Sequence, residues 1–208
     1  MRVLVTGSAG HLGEALVRTL QNTGYEAVGV DIVASPITSH VGSIADRAHV
    51  MRCMREVDAV LHTATLHKPH VATHSRQDFV NTNIMGTLNL LEEAAAAGVG
   101  SFILSATTPF LPEDLLDLRV NAPLVVRRRT PEYEAEYARR GWRMFPGIDR
   151  VYVNERARKE LDWHPRYDFR YVLDRLRAGA DFRSPLARTV GSKGYHAHGF
   201  SEGPYPVS

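Results

Sequence analysis

Gly7, Gly10 and Gly13 stand at a Gly-x-x-Gly-x-x-Gly spacing, and Asp31 follows 18 residues after the last of them. Placed after a strand and before a helix, such glycines set helix N–H groups against a phosphate. Each has its own task. Gly7 permits a sharp turn, Gly10 lets the backbone approach a pyrophosphate, and Gly13 lets the helix pack close to the sheet. A carboxylate at the position of Asp31 accepts hydrogen bonds from both hydroxyls of an adenosine ribose and repels a 2′-phosphate. No Arg or Lys stands at Ile32, Val33 or Ala34, which favours NAD over NADP.

Other groupings have chemical potential and a plainer explanation. His62, His67, His70 and His74 crowd one loop, and imidazoles could bind zinc or nickel. No carboxylate or cysteine lies among them, and their spacing fits no helical metal pair, so no metal is expected. Arg127-Arg128-Arg129 could hold a diphosphate, but three consecutive side chains point in different directions. A solvated turn before Pro131 is expected there. Glu132, Glu134, Glu136, Arg139 and Arg140 read as surface pairs on one short helix.

The elements that must position these residues alternate strand and helix. Val3–Val5 is a β-rich run suited to a buried strand, and Leu12, Leu16, Val17 and Leu20 share a helix face after it. Glu26–Asp31 is a second strand, residues 40–44 a short edge strand, and Asp58–His62 a further buried one. Asp46 is placed to cap a helix carrying Ala48, Val50, Met51 and Met54. After a loop from Thr63 to His74, a long helix repeats apolar residues at Phe79, Ile84, Leu88, Leu91, Ala94 and Ala95, with Gly98 at its C-terminal end. Ser101–Ser105 is the next expected strand. This alternation predicts a parallel sheet with helices on both faces.

Thr6-Gly7-x-x-Gly10-x-x-Gly13, Asp31, Leu61-His62-Thr63-Ala64 and Asn83-x-x-Gly86-Thr87-x-Asn89-Leu90-Leu91-Glu92 together resemble the first half of an extended short-chain dehydrogenase/reductase, of the NAD-dependent epimerase/dehydratase kind. The likeness covers residues 1 to about 99. It implies a Rossmann-like fold, here truncated, with a small mostly helical C-terminal lobe. It implies NAD as cofactor, with contacts at Gly7, Ala9, Gly10, His11, Leu12, Gly13, Asp31, Ser43, Ile44, His62, Thr63, Ala64 and Asn83. It places the histidine loop beside the nicotinamide ribose and substrate. Ser43 departs from the family's common Asp, which contacts the adenine amine, and leaves one hydroxyl to accept a hydrogen bond. Asn154 to Pro165 resembles the helix and turn that close such proteins, with Asp168, Phe169, Val172, Leu173 and Leu176 in a last amphipathic helix. Asp162 stands where the family usually has Gly at a helix end, a less tolerant residue for a left-handed conformation.

The family's chemistry uses a Ser or Thr on the reacting oxygen and a Tyr four residues before a Lys, whose charge lowers the Tyr pKa while hydride passes to or from the nicotinamide. No Tyr in this sequence meets that spacing, and Lys68, Lys159 and Lys193 are its only lysines. The chain therefore reads as lacking the family's central catalytic block. Ser105 and Thr107 are the candidates for the Ser/Thr role, or they belong to the downstream substrate lobe, since the Tyr-Gly turn expected after them does not follow. Tyr152 and Arg156 are the nearest substitute for the Tyr–Lys pair, but Val151 and Val153 read as core positions and Arg156 as the start of a helix. The resemblance implies a small-molecule substrate, a nucleotide sugar or a related carbonyl or alcohol. The alternative is a shortened NAD-binding protein without turnover, such as a sensor, partner subunit or deletion product.

At 208 residues, with formal net charge +2, the chain can bury a sizeable core and carries no global field for nucleic acid. Cys53 is its single cysteine, so no internal disulfide forms. No apolar run approaches membrane-spanning length, and a cytoplasmic protein is expected. The expected division is 1–108 for the NAD-binding domain and 109–208 for the substrate-lobe segment, with an irregular tail from about 184 containing His196 and His198. If strand 101–105 is the last of its sheet, its edge is open and self-association is expected.

Overall fold

In the computed structural model, residues 1–67, 70–99, 106–162 and 164–191 are described. The chain divides into two compact units, Met1–Ser101 with Ser184–Ser208, and Phe102–Arg183.

Unit 1 is built on a parallel sheet of β1 (Arg2–Thr6), β2 (Glu26–Asp31), β3 (His40–Val41) and β4 (Ala59–His62), in the order β3-β2-β1-β4. The register sets Thr6 beside Val30 on one flank and His62 on the other. Alternation along β1 divides the core. Val3 and Val5 pack with Val17, Leu16 and Leu20 of α1 (His11–Asn22) on one face. Leu4 packs on the other with Val50 and Cys53 of α2 (Arg47–Cys53) and with Leu90 and Ala94 of α4 (Thr87–Ala96). The expected helices on both faces are thus present. Asp46 caps α2 by accepting from His49 N, as its position predicted. Leu12 departs from the expected apolar face of α1 and is 58% exposed.

The long helix is composite: α3 (Arg76–Phe79), a π-helical stretch (Val80–Gly86), then α4. Ser75 and Asp78 form a reciprocal capping box at its start. The large apolar residues expected to face the core do not. Ile84, Leu88 and Leu91 are exposed, while Gly86, Asn89, Leu90 and Ala94 are buried. The physical reason is close approach. A Cβ on Gly86 would lie 2.6 Å from the Ile44 side chain, so the turn of Gly86 can approach this segment only without a side chain, and the face it shares with Asn89, Leu90 and Ala94 is the one buried. Asn89 Nδ2 donates to the carbonyls of Ile44 (3.0 Å) and Ala45 (3.2 Å), which ties this face to the segment before α2. Gly98, at φ +76°, takes the left-handed conformation that ends the helix. Strand 101–105, the edge expected on it and the tail beyond 191, with His196 and His198, lie outside the described residues.

Unit 2 is helical over its described residues, with a 3₁₀ turn (Pro112–Asp114), α5 (Leu115–Arg129), α6 (Tyr133–Arg140), α7 (Glu155–Leu161) and α8 (Phe169–Arg177). α5 breaks at Asn121, two residues before Pro123. The opening is filled by loop 146–148, where Pro146 O accepts from Ala122 N and Ile148 N donates to Leu118 O. Leu118, Ala122 and Val125 form one core cluster, and Val126, Tyr133 and Leu173 another.

Two charge expectations change here. Arg128 and Arg129 are not a solvated turn. Both reach the fully buried Asp114, which accepts from Arg128 (2.9 Å) and Arg129 (2.7 and 3.0 Å), while Arg129 also bonds Glu113. The Arg129 guanidinium beside Asp114 holds that carboxyl down at about 2. Glu136 is not a surface pair member but buried, accepting from Arg139 and Arg140, whose guanidiniums also donate to Leu176 O at the end of α8. Val151 is partly buried but Val153 is 64% exposed, and neither lies in a strand. Asp162 does adopt the left-handed conformation after α7, at φ 50°.

The tail expectation is also corrected for its described part. Ser184 caps a further helix, α9 (Pro185–Val190), by accepting from Ala187 N. It belongs to unit 1 and packs on α1.

Candidate functional site

The end of β1 and its glycine turn form the centre of the site. Gly7 has φ +72°, the left-handed region glycine favours, and its N–H donates to Val30 O (2.8 Å). A Cβ on Gly13 would lie 1.9 Å from Gly7 O. The close packing expected at Gly13 is therefore against the turn itself. A Cβ on Gly10 would meet only Gly7 O within 4 Å among the described residues, at 3.1 Å, so space lies open beside the backbone there. The first bond of the α1 ladder runs from Glu14 N to Gly10 O (2.9 Å), which leaves the N–H groups of His11, Leu12 and Gly13 ahead of it. A helix end with open space and leading N–H groups is suited to an anion.

Asp31 ends β2 with its carboxylate already aimed. Oδ2 accepts from Ala9 N (2.9 Å) and Oδ1 from Val33 N (2.9 Å). These bonds hold the carboxylate beside the glycine turn and leave lone pairs on both oxygens for a diol. Ser8 is fully buried and its hydroxyl meets that of Thr38 (3.0 Å), which secures the loop after Asp31.

On the other flank the ends of β1 and β4 are laced through Thr6. Its hydroxyl meets His62 Nδ1 (2.7 Å) and accepts from Thr63 N (3.2 Å) and Ala64 N (3.3 Å). Thr63 Oγ1 donates to Thr6 O (2.6 Å). His62 Nε2 meets the Thr87 hydroxyl (3.1 Å), and desolvation of the ring between these groups pushes its pKa down although part of the residue stays exposed. Asn83, in the π-helical stretch, closes on the Leu66 peptide. Its Oδ1 accepts from Leu66 N (2.8 Å) and its Nδ2 donates to Leu66 O (2.7 Å). The π-helical stretch thus positions the loop that follows β4.

Of the residues expected to touch a cofactor, the structure gathers Gly7, Ala9, Gly10, His11, Leu12, Gly13 and Asp31 at the turn, and His62, Thr63, Ala64 and Asn83 at the β4 end. Ile44 is in the core, and Ser43 Oγ accepts from Ala45 N (3.1 Å). Thr107 lies in unit 2, where its hydroxyl accepts from the buried Asn154 Nδ2 (3.2 Å) and it lines a cavity of about 670 Å³ with Leu115, Val151, Arg158 and Lys159. Ser105 lies outside the described residues. Arg156 is paired with Glu160 (3.0 Å). His67, His70 and His74 stack edge to face, at 4.8 and 5.3 Å between rings. Among the described residues no three His, Cys, Asp or Glu side chains converge as metal ligands, and no helix is long and apolar enough to cross a membrane.

Sequence reasoning gave Thr6 no role, although its place just before Gly7 at a strand end marks it. It also left out the backbone N–H of Val33, which no side-chain pattern reveals.

A parallel sheet whose first strand runs through a glycine turn into a helix, with an aimed acid at the end of the second strand, defines a Rossmann-type dinucleotide-binding unit. Residues 3–124 match the model of the NAD dependent epimerase/dehydratase family, and the chain belongs to that family. It is 34% identical over 116 residues to 3-beta-hydroxysteroid dehydrogenase of Mycolicibacterium neoaurum, covering 51% of this chain and 32% of that protein. It is 33% identical over 114 residues to UDP-glucose 4-epimerase of Rhizobium leguminosarum bv. trifolii, covering 50% and 35%. Among solved structures, the UDP-glucose 4-epimerase of Thermus thermophilus in complex with NAD is 30% identical, with a TM-score of 0.45 over 51% of this chain and 38% of that one. The chain spans about a third of the length of these curated relatives.

Proposed function

We propose that this chain binds NAD through unit 1 and takes part in hydride transfer on a nucleotide sugar or a related alcohol or carbonyl compound. The observation that carries the reading is the pairing of the glycine turn with Asp31. Leading N–H groups of α1 suit a pyrophosphate, and the Asp31 carboxylate, oriented by Ala9 N and Val33 N, suits the ribose hydroxyls. NAD would supply the hydride acceptor. The chain's own part is to bind the pyrophosphate at Gly10–Gly13, select against a 2′-phosphate at Asp31, and hold the β4 end in place through Thr6 and Asn83. Unit 1, with α9, would carry the cofactor and unit 2 the substrate-facing lobe. Membership in the family and the likeness to UDP-glucose 4-epimerases support this substrate class.

A second reading, dinucleotide binding without turnover, is favoured by one observation: no Tyr precedes a Lys by four residues anywhere in the sequence. The test is calorimetric titration with NAD and NADP, repeated on Asp31→Ala. NAD should bind more tightly than NADP, and the variant should lose about tenfold for NAD while narrowing the gap. Absence of saturable binding by folded protein would overturn the cofactor site. Incubation of the NAD-loaded chain with UDP-glucose then separates the two readings, since product forms only under the first.

A further inference from the structure

α9 returns from the far end of the sequence to the first turn of α1. The Nδ1 of His11 bonds to the carbonyl oxygen of Gly191, 180 residues away. A carbonyl only accepts, so Nδ1 carries the proton and the ring's tautomer is set. Gly191 reaches this arrangement at φ +70° and ψ −175°, a region open essentially to glycine alone. The helix before it is firmly built for its length. Ser184 caps it, Pro185 begins it, Thr189 Oγ1 donates to Pro185 O (3.1 Å), and Gly191 N donates to Ala187 O (3.1 Å). The conformation that aims this carbonyl at the imidazole is one that glycine allows and other residues do not.

His11 is the first residue of α1, directly after Gly10, where the leading N–H groups lie. We infer that α9 and Gly191 are positioning elements of the dinucleotide site: by holding the His11 ring they fix the first turn of α1, and dinucleotide binding and α9 docking are coupled. The inference rests on the reading of unit 1 as an NAD site. Coupling of this kind is reciprocal, so NAD should stabilise α9 to the degree that α9 favours NAD.

The test uses the full chain with Gly191→Ala, His11→Ala and the double variant. A methyl at 191 meets nothing within 4 Å among the described residues, so the first variant acts through backbone conformation. Circular dichroism checks the fold. NAD affinity is read by calorimetry, α9 docking by amide exchange at residues 186–191 with and without NAD, and the His11 tautomer by ring ¹⁵N shifts. Each single variant should weaken NAD about tenfold, and the double variant no further. NAD should slow exchange across 186–191 in the natural chain and not in His11→Ala, and Gly191→Ala should lose the Nδ1–H signature. A purely structural role for α9 would leave the effect of NAD on that exchange absent. If the natural chain binds NAD and Gly191→Ala binds it equally or more tightly, or if the two single effects multiply, the inference falls. If the natural chain itself fails to bind NAD, the cofactor reading falls and the inference with it, a result seen before any variant is made.

Discussion

Unit 1 and unit 2 use their polar groups in opposite ways. In unit 1 the backbone holds the site open, with N–H groups ahead of the α1 ladder, space beside Gly10 and a carboxylate with lone pairs to offer. In unit 2 the strongest charges satisfy one another. Asp114 accepts from two arginines and Leu111 N, and Glu136 from two more arginines that also cap α8. Arg128 and Arg129 are thus engaged with Asp114, whereas the almost uncharged glycine turn keeps its leading N–H groups open.

The sharpest break of this contrast is Gly13→Ala. A Cβ placed 1.9 Å from Gly7 O forces the turn and the helix apart. It should cost about 3 kcal/mol in urea unfolding and abolish NAD binding in calorimetry. In unit 2, Asp114→Asn should cost about 2 kcal/mol at neutral pH while leaving NAD affinity within twofold. The natural carboxyl is held at about 2, below its ordinary 3.8. Its contribution is therefore complete above about pH 4 and is lost as pH falls through about 2. An acid-unfolding series should show that loss in the natural chain and not in the variant.

Smaller effects sharpen the comparison. Asp162 is held left-handed at φ 50°, so Asp162→Gly should stabilise the chain by about 1 kcal/mol, against the loss of an exposed contact with His164. Arg156→Ala removes the exposed pair with Glu160 and should shift stability by less than about 0.5 kcal/mol. A larger loss of activity or stability in that variant would revive Tyr152 and Arg156 as a working pair.

What the sequence makes legible follows the same division. β1, the glycine turn and Asp31 are readable because their chemistry lies in local order, and the structure gathers them as their spacing predicts. The capping Asp46 and the left-handed Gly98 are readable for the same reason. The buried face of the composite helix is only partly readable: Ala94 is buried as its spacing predicts, but Gly86 and Leu90 are buried where Ile84, Leu88 and Leu91 are expected. Asp114 and Arg128 are 14 residues apart, and nothing local marks their meeting. Gly191 is further still from His11, and a segment rich in glycine and proline beyond it reads as irregular. Long-range partners of polar groups are what a linear reading misses.

Cys53 has a practical consequence. It is the single cysteine of the chain, only 5% exposed, with its sulfur 3.5 Å from His49 Nε2, and burial pushes its thiol pKa up. Maleimide reagents need an accessible thiolate, so the natural chain should resist labelling while folded. A cysteine introduced at the exposed Arg188 would then be the only reactive handle, and a dye placed there would report the motion of α9 without any change to the core.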